Sequence, residues 1–209
     1  MDGTMIELIA AKRIIPVVAI GKSAMAADLA ASLIAGGLPI AEVTLRTPES
    51  LEALSIMASN KDLVVGVGSL RNGEDLKKAI DAGAQFAVSA GFSPSVASEA
   101  HKHGIQYFPG VSTPTEILQA ISEGFTTLKF FPAETLGGVK ALTAIAAPFP
   151  GIRFVPTGGI SAANAPDYLS LASVVAVGGS WMVAQKLIDA GEFETIISLT
   201  QEAVEVCAK

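Results

Sequence analysis

Charged side chains occur inside two apolar segments of this 209-residue chain. Glu42 and Arg46 lie in IAEVTLR, which starts at Ile40, and Lys129 lies in TLKFFPA, which starts at Thr127. Isolated charges are expensive to bury, and Lys and Glu are rarely buried unless they are paired. A structural salt bridge is one explanation, but replacing a buried ion pair with apolar residues is often neutral or stabilising. The pattern therefore favours a catalytic role for Glu42 and Lys129.

A lysine, a glutamate and an arginine in this setting fit chemistry on an α-keto acid. An amine attacks a ketone only when it is unprotonated, and apolar neighbours such as Phe130 and Phe131 favour that form. Glu42 would shuttle the protons that imine formation, dehydration and carbon–carbon cleavage each move. The planar guanidinium of Arg46 suits a carboxylate or a phosphate. These residues predict an α-keto acid held by its carboxylate while its ketone meets Lys129.

Eight apolar segments recur along the chain, with starts separated by 21 to 26 residues. They start at Ile14, Ile40, Leu63, Gln85, Gln106, Thr127, Arg153 and Val174. Ala- and Leu-rich stretches with helical periodicity separate them, and several of these begin near Asn72, Ser93 or Thr113, residue types that cap helix N-termini. Strands that alternate with helices predict a parallel sheet, because parallel strands need crossover connections.

Eight strand–helix units in about two hundred residues predict an α/β fold of the closed (β/α)8 TIM-barrel type. A doubly wound open sheet is the alternative, but the first strand is followed by IGKS from Ile20 and not by a GxGxxG motif. We expect a short helix over residues 5–12, ahead of the first strand. No linker or change of composition indicates a second domain, so residues 1–209 are predicted to form a single domain.

Strand geometry assigns the charged residues to one side of the sheet. Side chains alternate along a strand, so Glu42, Thr44 and Arg46 share one face of the second strand. Thr127, Lys129 and Phe131 likewise share one face of the sixth strand, while Leu128 and Phe130 are expected to face the helices. The prediction is that Glu42, Arg46 and Lys129 all point into the interior of the barrel, with Arg46 nearer its C-terminal mouth.

Two glycine motifs stand at the predicted ends of the last two strands. TGGIS covers residues 157–161 and VGGSW covers residues 177–181. Loops after strands seven and eight of such barrels frequently bind phosphate, because glycine-rich turns expose backbone N–H groups. A plain tight turn is the alternative for each motif alone. Two motifs at neighbouring strand ends predict a phosphate site that includes Thr157, Gly158, Gly159, Gly179 and Ser180.

Composition and charge exclude several other classes of function. The net charge is -6 and the sequence pI is about 4.9, without a cluster of Lys or Arg, which argues against nucleic-acid or membrane binding. With Cys207 as the single cysteine and only two histidines, His101 and His103, we expect neither an internal disulfide nor a dedicated metal site. The N-terminal residues resemble no leader peptide and no apolar run is long enough to span a membrane, so we expect a cytoplasmic protein.

Four segments together resemble the class I 2-keto-3-deoxy-6-phosphogluconate (KDPG) aldolases of the Entner–Doudoroff pathway. These segments are EVTLRT from Glu42, LKFFPAE from Leu128, PTGGIS from Pro156 and GGSW from Gly178. The resemblance runs over nearly the whole chain and implies cleavage of KDPG to pyruvate and glyceraldehyde 3-phosphate. By position it implies that Lys129 forms the imine, that Glu42 is the acid/base and that Arg46 binds the carboxylate. It also implies that Gly158, Gly159 and Ser180 hold the phosphate, with Thr157 lining the site.

The resemblance also implies a cytoplasmic homotrimer that needs no cofactor and no metal. Several family members also cleave 4-hydroxy-2-oxoglutarate (KHG). Two positions near the pyruvyl group depart from the family pattern: Ser69 stands where GAGT has threonine, and Ala90 stands where SPG has proline. Serine keeps the hydroxyl but loses a methyl contact, and alanine removes a ring, so we expect effects on efficiency and acceptor choice and not on the type of reaction.

Three alternatives remain open from the sequence. The first is the same mechanism used mainly on KHG or on the galactonate epimer of KDPG. The second is a phosphosugar isomerase or epimerase, in which Glu42 is the base and Lys129 acts only electrostatically. The third is a phosphate-binding barrel without catalytic activity, which would leave the cost of burying Glu42 and Lys129 unexplained.

Overall fold

A computed structural model describes residues 2–208, and the side chains of residues 5–208. Residues 1 and 209 of the predicted domain lie outside the described residues. The strands are β1 (Ile14–Val18), β2 (Ile40–Thr44), β3 (Val64–Leu70), β4 (Phe86–Ser89), β5 (Gln106–Phe108), β6 (Gly110–Val111), β7 (Thr127–Phe130), β8 (Arg153–Pro156) and β9 (Val177–Gly179).

The strands form two parallel sheets. One sheet has six strands in the order β5-β4-β3-β2-β1-β9, and the other has three in the order β6-β7-β8. Only Pro109 separates β5 from β6, and a proline has no N–H to donate to a neighbouring strand. Two isolated parallel bridges, Phe154–Val174 and Thr157–Gly178, connect the β8 region to the β9 region.

Helices alternate with the strands, as the sequence predicts. The helices are α1 (Asp2–Lys12), α2 (Ala26–Ala35), α3 (Ser50–Ala58), α4 (Gly73–Asp81), α5 (Pro94–His103), α6 (Pro114–Ser122), α7 (Gly138–Ala146), α8 (Ala165–Leu169), α9 (Gln185–Ala190) and α10 (Phe193–Ala208). A short 3-10 helix, Ser23–Met25, precedes α2, and another, Trp181–Val183, follows β9. The parallel α/β architecture is therefore confirmed.

Most element boundaries agree with the sequence prediction, and three features differ from it. Asn72, Ser93 and Thr113 each accept a hydrogen bond from a backbone N–H of the following first turn, which confirms them as N-caps. The first helix starts at Asp2, three residues before the expected start. The fifth predicted strand is divided at Pro109, and the eighth begins at Val177 and not at Val174.

Both faces of the sheets are covered, as parallel sheets require. Every residue of β1 and β2 is buried, and the core consists mainly of Ala, Val, Ile and Leu. Glu42 and Lys129 are the buried residues that carry a formal charge among the described side chains. None of the described helices has the length and apolar character that crossing a bilayer requires.

Candidate active site

Lys129 on β7 and Glu42 on β2 form a buried ion pair. Lys129 Nζ lies 3.2 Å from Glu42 Oε1, and the two residues are only 6% and 2% exposed. The two strands belong to different sheets, so the pair connects the six-stranded and three-stranded sheets across the interior. Lys129 Nζ also lies 5.3 Å from the centre of the Phe131 ring. The amine therefore has an acid/base partner and an apolar wall within reach.

The position of Glu42 depends on a glycine of the neighbouring strand. A Cβ added at Gly68 on β3 would overlap the Glu42 carboxylate, and one added at Gly66 would overlap the Phe86 ring. The missing side chains on β3 therefore leave the space that Glu42 occupies. The sequence analysis missed Gly68, although glycines two apart in GVGS lie on the same face of a strand and were an available signal.

Ser69 lies one residue beyond Gly68 in a strained part of β3. Its φ of +61° is in the left-handed region, which is uncommon for residues other than glycine. The register between β3 and β4 also shifts between Val67 and Leu70, so Ser69 lies at a β-bulge. Ser69 is half-buried and directly follows the glycine that faces Glu42.

Ala90 lies beside the strand that neighbours Lys129. Gly110 pairs with Lys129, and a Cβ added at Gly110 would overlap the Ala90 carbonyl group. Ser89, the preceding residue, hydrogen-bonds with Tyr107 and donates to the Gly91 carbonyl at 2.7 Å. The Ala90 side chain itself is exposed. Its backbone is thus fixed beside the β6–β7 edge, with no ring where the family pattern has proline.

Arg46 lies at the mouth of the site and not in the interior between the two sheets. The strand β2 ends at Thr44, so Arg46 is two residues beyond it and its side chain is exposed. Arg46 Nε donates to Thr44 Oγ1 at 3.1 Å, and Thr44 Oγ1 donates in turn to the Val18 carbonyl at 2.7 Å. Thr44, which the sequence analysis treated only as a residue on the same face, orients Arg46.

The two glycine motifs lie next to each other. Thr157 forms an isolated bridge with Gly178, and a Cβ added at Gly178 would overlap Thr157 Oγ1. Gly158 and Gly159 have φ values of +100° and +78°, which residues with a side chain rarely adopt. The backbone N–H groups of Gly159 and Ser180 have no hydrogen-bond partner among the residues that the structure describes. Unpaired N–H groups at adjacent turns are suited to an anion.

These turns line a cavity of about 130 Å³, which we call the mouth cavity. Its predicted residues are Arg46, Phe131, Thr157, Gly158, Gly159, Gly179 and Ser180, and Val17, Ile160 and Gly178 complete it. An adjoining cavity of about 460 Å³ shares Val17, Arg46 and Ser180 with it. Phe131 lines the mouth cavity, and the centre of its ring lies 5.3 Å from the amine of Lys129.

The predicted residues therefore form two groups. The mouth cavity joins Arg46 to the glycine turns, whereas Lys129 and Glu42 form a buried pair that is not part of its lining. Ser69 and Ala90 do not line the mouth cavity, and their backbones lie near the pair. His103 contacts Glu99 within α5, away from both groups, and no cluster of metal-ligating residues is found in the described part of the chain.

The chain is similar to known proteins over nearly its full length. Residues 5–199 match the family model "Aldolase: KDPG and KHG aldolase". The KHG/KDPG aldolase of Escherichia coli (strain K12) is 44% identical over 193 residues, which cover 92% of this chain and 91% of that protein.

Two solved structures are similar over almost their full lengths. KDPG aldolase of Zymomonas mobilis ZM4 with 3-phosphoglycerate has a TM-score of 0.89 and 38% identity, covering 96% of this chain and 94% of that one. KDPG aldolase from Legionella pneumophila, with pyruvate captured at low pH as a covalent carbinolamine intermediate, has a TM-score of 0.91 and 35% identity. That comparison covers 96% of this chain and 98% of the other.

Proposed function

Because the chain belongs to the KDPG and KHG aldolase family, we propose that it is a class I aldolase that reversibly cleaves KDPG to pyruvate and glyceraldehyde 3-phosphate. One observation carries the proposal: Lys129 Nζ lies 3.2 Å from the carboxylate of Glu42 in an interior where both side chains are almost fully buried. An amine with a proton acceptor beside it is the arrangement that imine formation needs.

The reaction follows from this pair. Unprotonated Lys129 attacks the C2 ketone, and Glu42 supplies the proton that lets the carbinolamine lose water and become an imine. Removal of the C4 hydroxyl proton then breaks the C3–C4 bond, and the bonding electrons move into the imine to give an enamine. Glyceraldehyde 3-phosphate leaves, C3 is protonated, and hydrolysis releases pyruvate and the free amine. The imine is the electron sink, so no cofactor takes part.

The remaining site residues divide between the two ends of the substrate. Ser69 and the backbone at Ala90 lie near the reacting pair and are proposed to contact the pyruvyl group, with Phe131 as an apolar wall. The unpaired N–H groups of Gly159 and Ser180 support a phosphate site in the mouth cavity. The phosphate site also includes Thr157, Gly158 and Gly179.

Arg46 lies at the rim, where its guanidinium can reach a carboxylate or a phosphate. The resemblance assigns it to the substrate carboxylate, and its place in the mouth cavity beside the glycine turns also fits the phosphate. Its fork geometry serves either anion in two parallel hydrogen bonds. We propose the carboxylate as its first partner, because Arg46 follows β2, the strand that carries Glu42.

The proposal includes the closed (β/α)8 barrel and its assembly. Counting β5 and β6 as one strand interrupted by Pro109, the β8–β9 bridges would complete a ring of eight. A single domain, a cytoplasmic location and the homotrimer that the resemblance implies belong to the same proposal. Sedimentation of the purified protein tests the trimer.

KHG cleavage by the same residues is a second candidate, because the E. coli relative bears both substrate names. The test is the rate of pyruvate release from KDPG, from its galactonate epimer and from KHG, each with EDTA present. We expect the highest kcat/KM for KDPG, since it alone combines the phosphate with the gluconate configuration. A higher kcat/KM for KHG would establish the second candidate, and no pyruvate from any of the three would contradict the aldolase assignment.

A further inference from the structure

A carboxylate lies against the turn that is proposed to bind phosphate. Glu134 follows β7, and a Cβ added at Gly159 would lie 2.6 Å from Glu134 Cβ and Cγ. A carboxylate repels an anion, so its presence beside a phosphate site requires an explanation. Neither the acid/base pair nor the mouth cavity includes Glu134.

The backbone of Glu134 sets the direction of the turn's N–H groups. The Ala133 N–H donates to the Thr157 carbonyl at 2.8 Å, and the Glu134 N–H donates to the Gly158 carbonyl at 3.1 Å. In a planar trans peptide the C=O and the following N–H point in opposite directions. A Gly158 carbonyl that faces Glu134 therefore turns the Gly159 N–H away from Glu134, and this N–H is unpaired among the described residues.

The side chain of Glu134 is held by the helix that follows the turn. The hydroxyl of Tyr168, on α8, donates to Glu134 Oε1, and Tyr168 is fully buried. Burial, and then the neighbouring carboxylate, raise the pKa of Tyr168, so the hydroxyl keeps its proton and remains a donor at neutral pH. The stem of Glu134 packs against Gly159, so fixing the carboxylate also fixes the residue whose N–H holds the Gly158 carbonyl.

We propose that Glu134 and Tyr168 are positioning residues that hold the Gly158–Gly159 turn with its N–H groups directed at the substrate phosphate. They connect the segment after β7, the turn after β8 and helix α8. The inference rests on the proposed function, since it concerns the phosphate end of the same site. Glu134 acts through its hydrogen bonds and its packing, and the hydrogen bond that the Tyr168 hydroxyl donates stabilises its negative charge.

Tyr168→Phe tests the hydroxyl, because it removes one oxygen from a buried ring and keeps the packing. Three measurements are made: the Kd of inorganic phosphate by ³¹P NMR titration, KM for KDPG, and KM for KHG, which has no phosphate. We expect the phosphate Kd and the KM for KDPG to rise about three- to tenfold, less than the direct loss of a hydrogen bond to a charged group would give, because Tyr168 acts on the phosphate only through the turn. The KM for KHG should change less than about twofold. Tyr107→Phe is the matched control, because Tyr107 is equally buried and hydrogen-bonds with Ser89 beside Ala90.

Glu134→Gln and Glu134→Ala separate hydrogen bonding from charge, and Glu134 is exposed enough to substitute without disturbing the core. Gln keeps an acceptor for Tyr168 and a stem against Gly159, so phosphate binding should be at least as strong as in the wild type. The Glu134→Ala variant loses the acceptor for Tyr168 and most of the stem against Gly159, so it should bind phosphate more weakly. Tighter binding by Glu134→Ala would show simple repulsion and overturn the proposal, as would equal effects of Tyr168→Phe on KDPG and KHG.

The phosphate titration keeps this inference separate from the aldolase assignment. If the wild type releases no pyruvate from any substrate, the proposed function fails, and the phosphate Kd values of Tyr168→Phe and Glu134→Ala still decide the positioning role. If the wild type cleaves KDPG but its phosphate Kd is the same as that of every variant, the proposed function stands and the positioning role is refuted. A wild type that binds no phosphate refutes it as well.

Discussion

The two ends of the candidate site are built from different parts of the chain. At the pyruvyl end, Glu42 and Lys129 are side chains on strands, buried and in direct contact. At the proposed phosphate end, the mouth cavity is lined by turns in which Gly158 and Gly159 have positive φ and the N–H groups of Gly159 and Ser180 have no partner among the described residues. Covalent chemistry needs a particular nucleophile and base, whereas an anion can be held by N–H groups of any residue that fits the turn.

This difference predicts that substitutions at the two ends of the site affect different kinetic constants. Changes at the pyruvyl end should lower kcat and slow imine formation, because they alter groups that act on the reacting bonds. Changes at the phosphate end should raise KM for phosphorylated substrates and leave imine formation with pyruvate intact, because pyruvate has no phosphate.

Glu42→Gln should have the largest effect. It keeps the size of the side chain beside Gly68 but removes the group that accepts and returns protons. We expect kcat for KDPG to fall by about 10²- to 10⁴-fold, with a KM within about threefold of the wild type. Stopped-flow measurement of pyruvate imine formation should show a similar decrease. An unchanged kcat would remove Glu42 from the mechanism.

Gly159→Ala should have the next largest effect. Its φ of +78° costs an alanine about 1–2 kcal/mol, and the new Cβ would lie 2.6 Å from the stem of Glu134. We expect KM for KDPG to rise about tenfold while borohydride trapping of pyruvate is unchanged. The matched control is Gly37→Ala after α2, where φ is +80° and a Cβ meets nothing within 4 Å. Equal kinetic effects of the two variants would indicate general destabilisation.

Thr44→Val should have a moderate effect, because Arg46 loses the oxygen that holds its Nε. We expect KM for KDPG to rise about threefold with little change in kcat, and Thr44→Ser to behave as the wild type since it keeps the hydroxyl. A fall in kcat with constant KM would show that Thr44 acts on the reacting bonds and not on the binding of an anion by Arg46.

Ser69→Thr should have the smallest effect. Threonine restores the family's methyl group, but a β-branched residue is strained at a φ of +61°. We expect a loss of about 1 kcal/mol in unfolding free energy and a change in KM for KDPG of less than about threefold. Thermal unfolding and steady-state kinetics measure the two quantities. A tenfold gain in kcat/KM would show that the serine limits the wild-type enzyme.

Much of the fold could be predicted because its signals are local. Apolar runs at regular intervals give the strands, and Asn72, Ser93 and Thr113 mark helix starts by their capping chemistry. Glu42 and Lys129 could also be identified from the sequence, because they are charged residues inside such apolar runs, although they lie 87 residues apart. Their 3.2 Å contact depends on how the two sheets face each other, which no local pattern specifies.

Other features depend on contacts that the sequence does not encode locally. In the sequence, the alternation of inward and outward residues continues from β2 to Arg46. The strand β2 ends at Thr44, however, so Arg46 lies at the mouth. The hydrogen bond from Tyr168 to Glu134 joins residues from two segments that become neighbours only after the turn is formed. The space that Gly68 leaves for Glu42 is likewise a property of two paired strands, and only the spacing of the glycines hinted at it.

Borohydride reduction in the presence of pyruvate tests the central claim most directly. The protein is incubated with pyruvate and borohydride, digested, and mapped by mass spectrometry, with Lys129→Arg treated in parallel. The account predicts a reduced pyruvyl adduct on Lys129 in the wild type and no adduct in Lys129→Arg. No adduct in the wild type, or an adduct on another lysine, would contradict the imine mechanism.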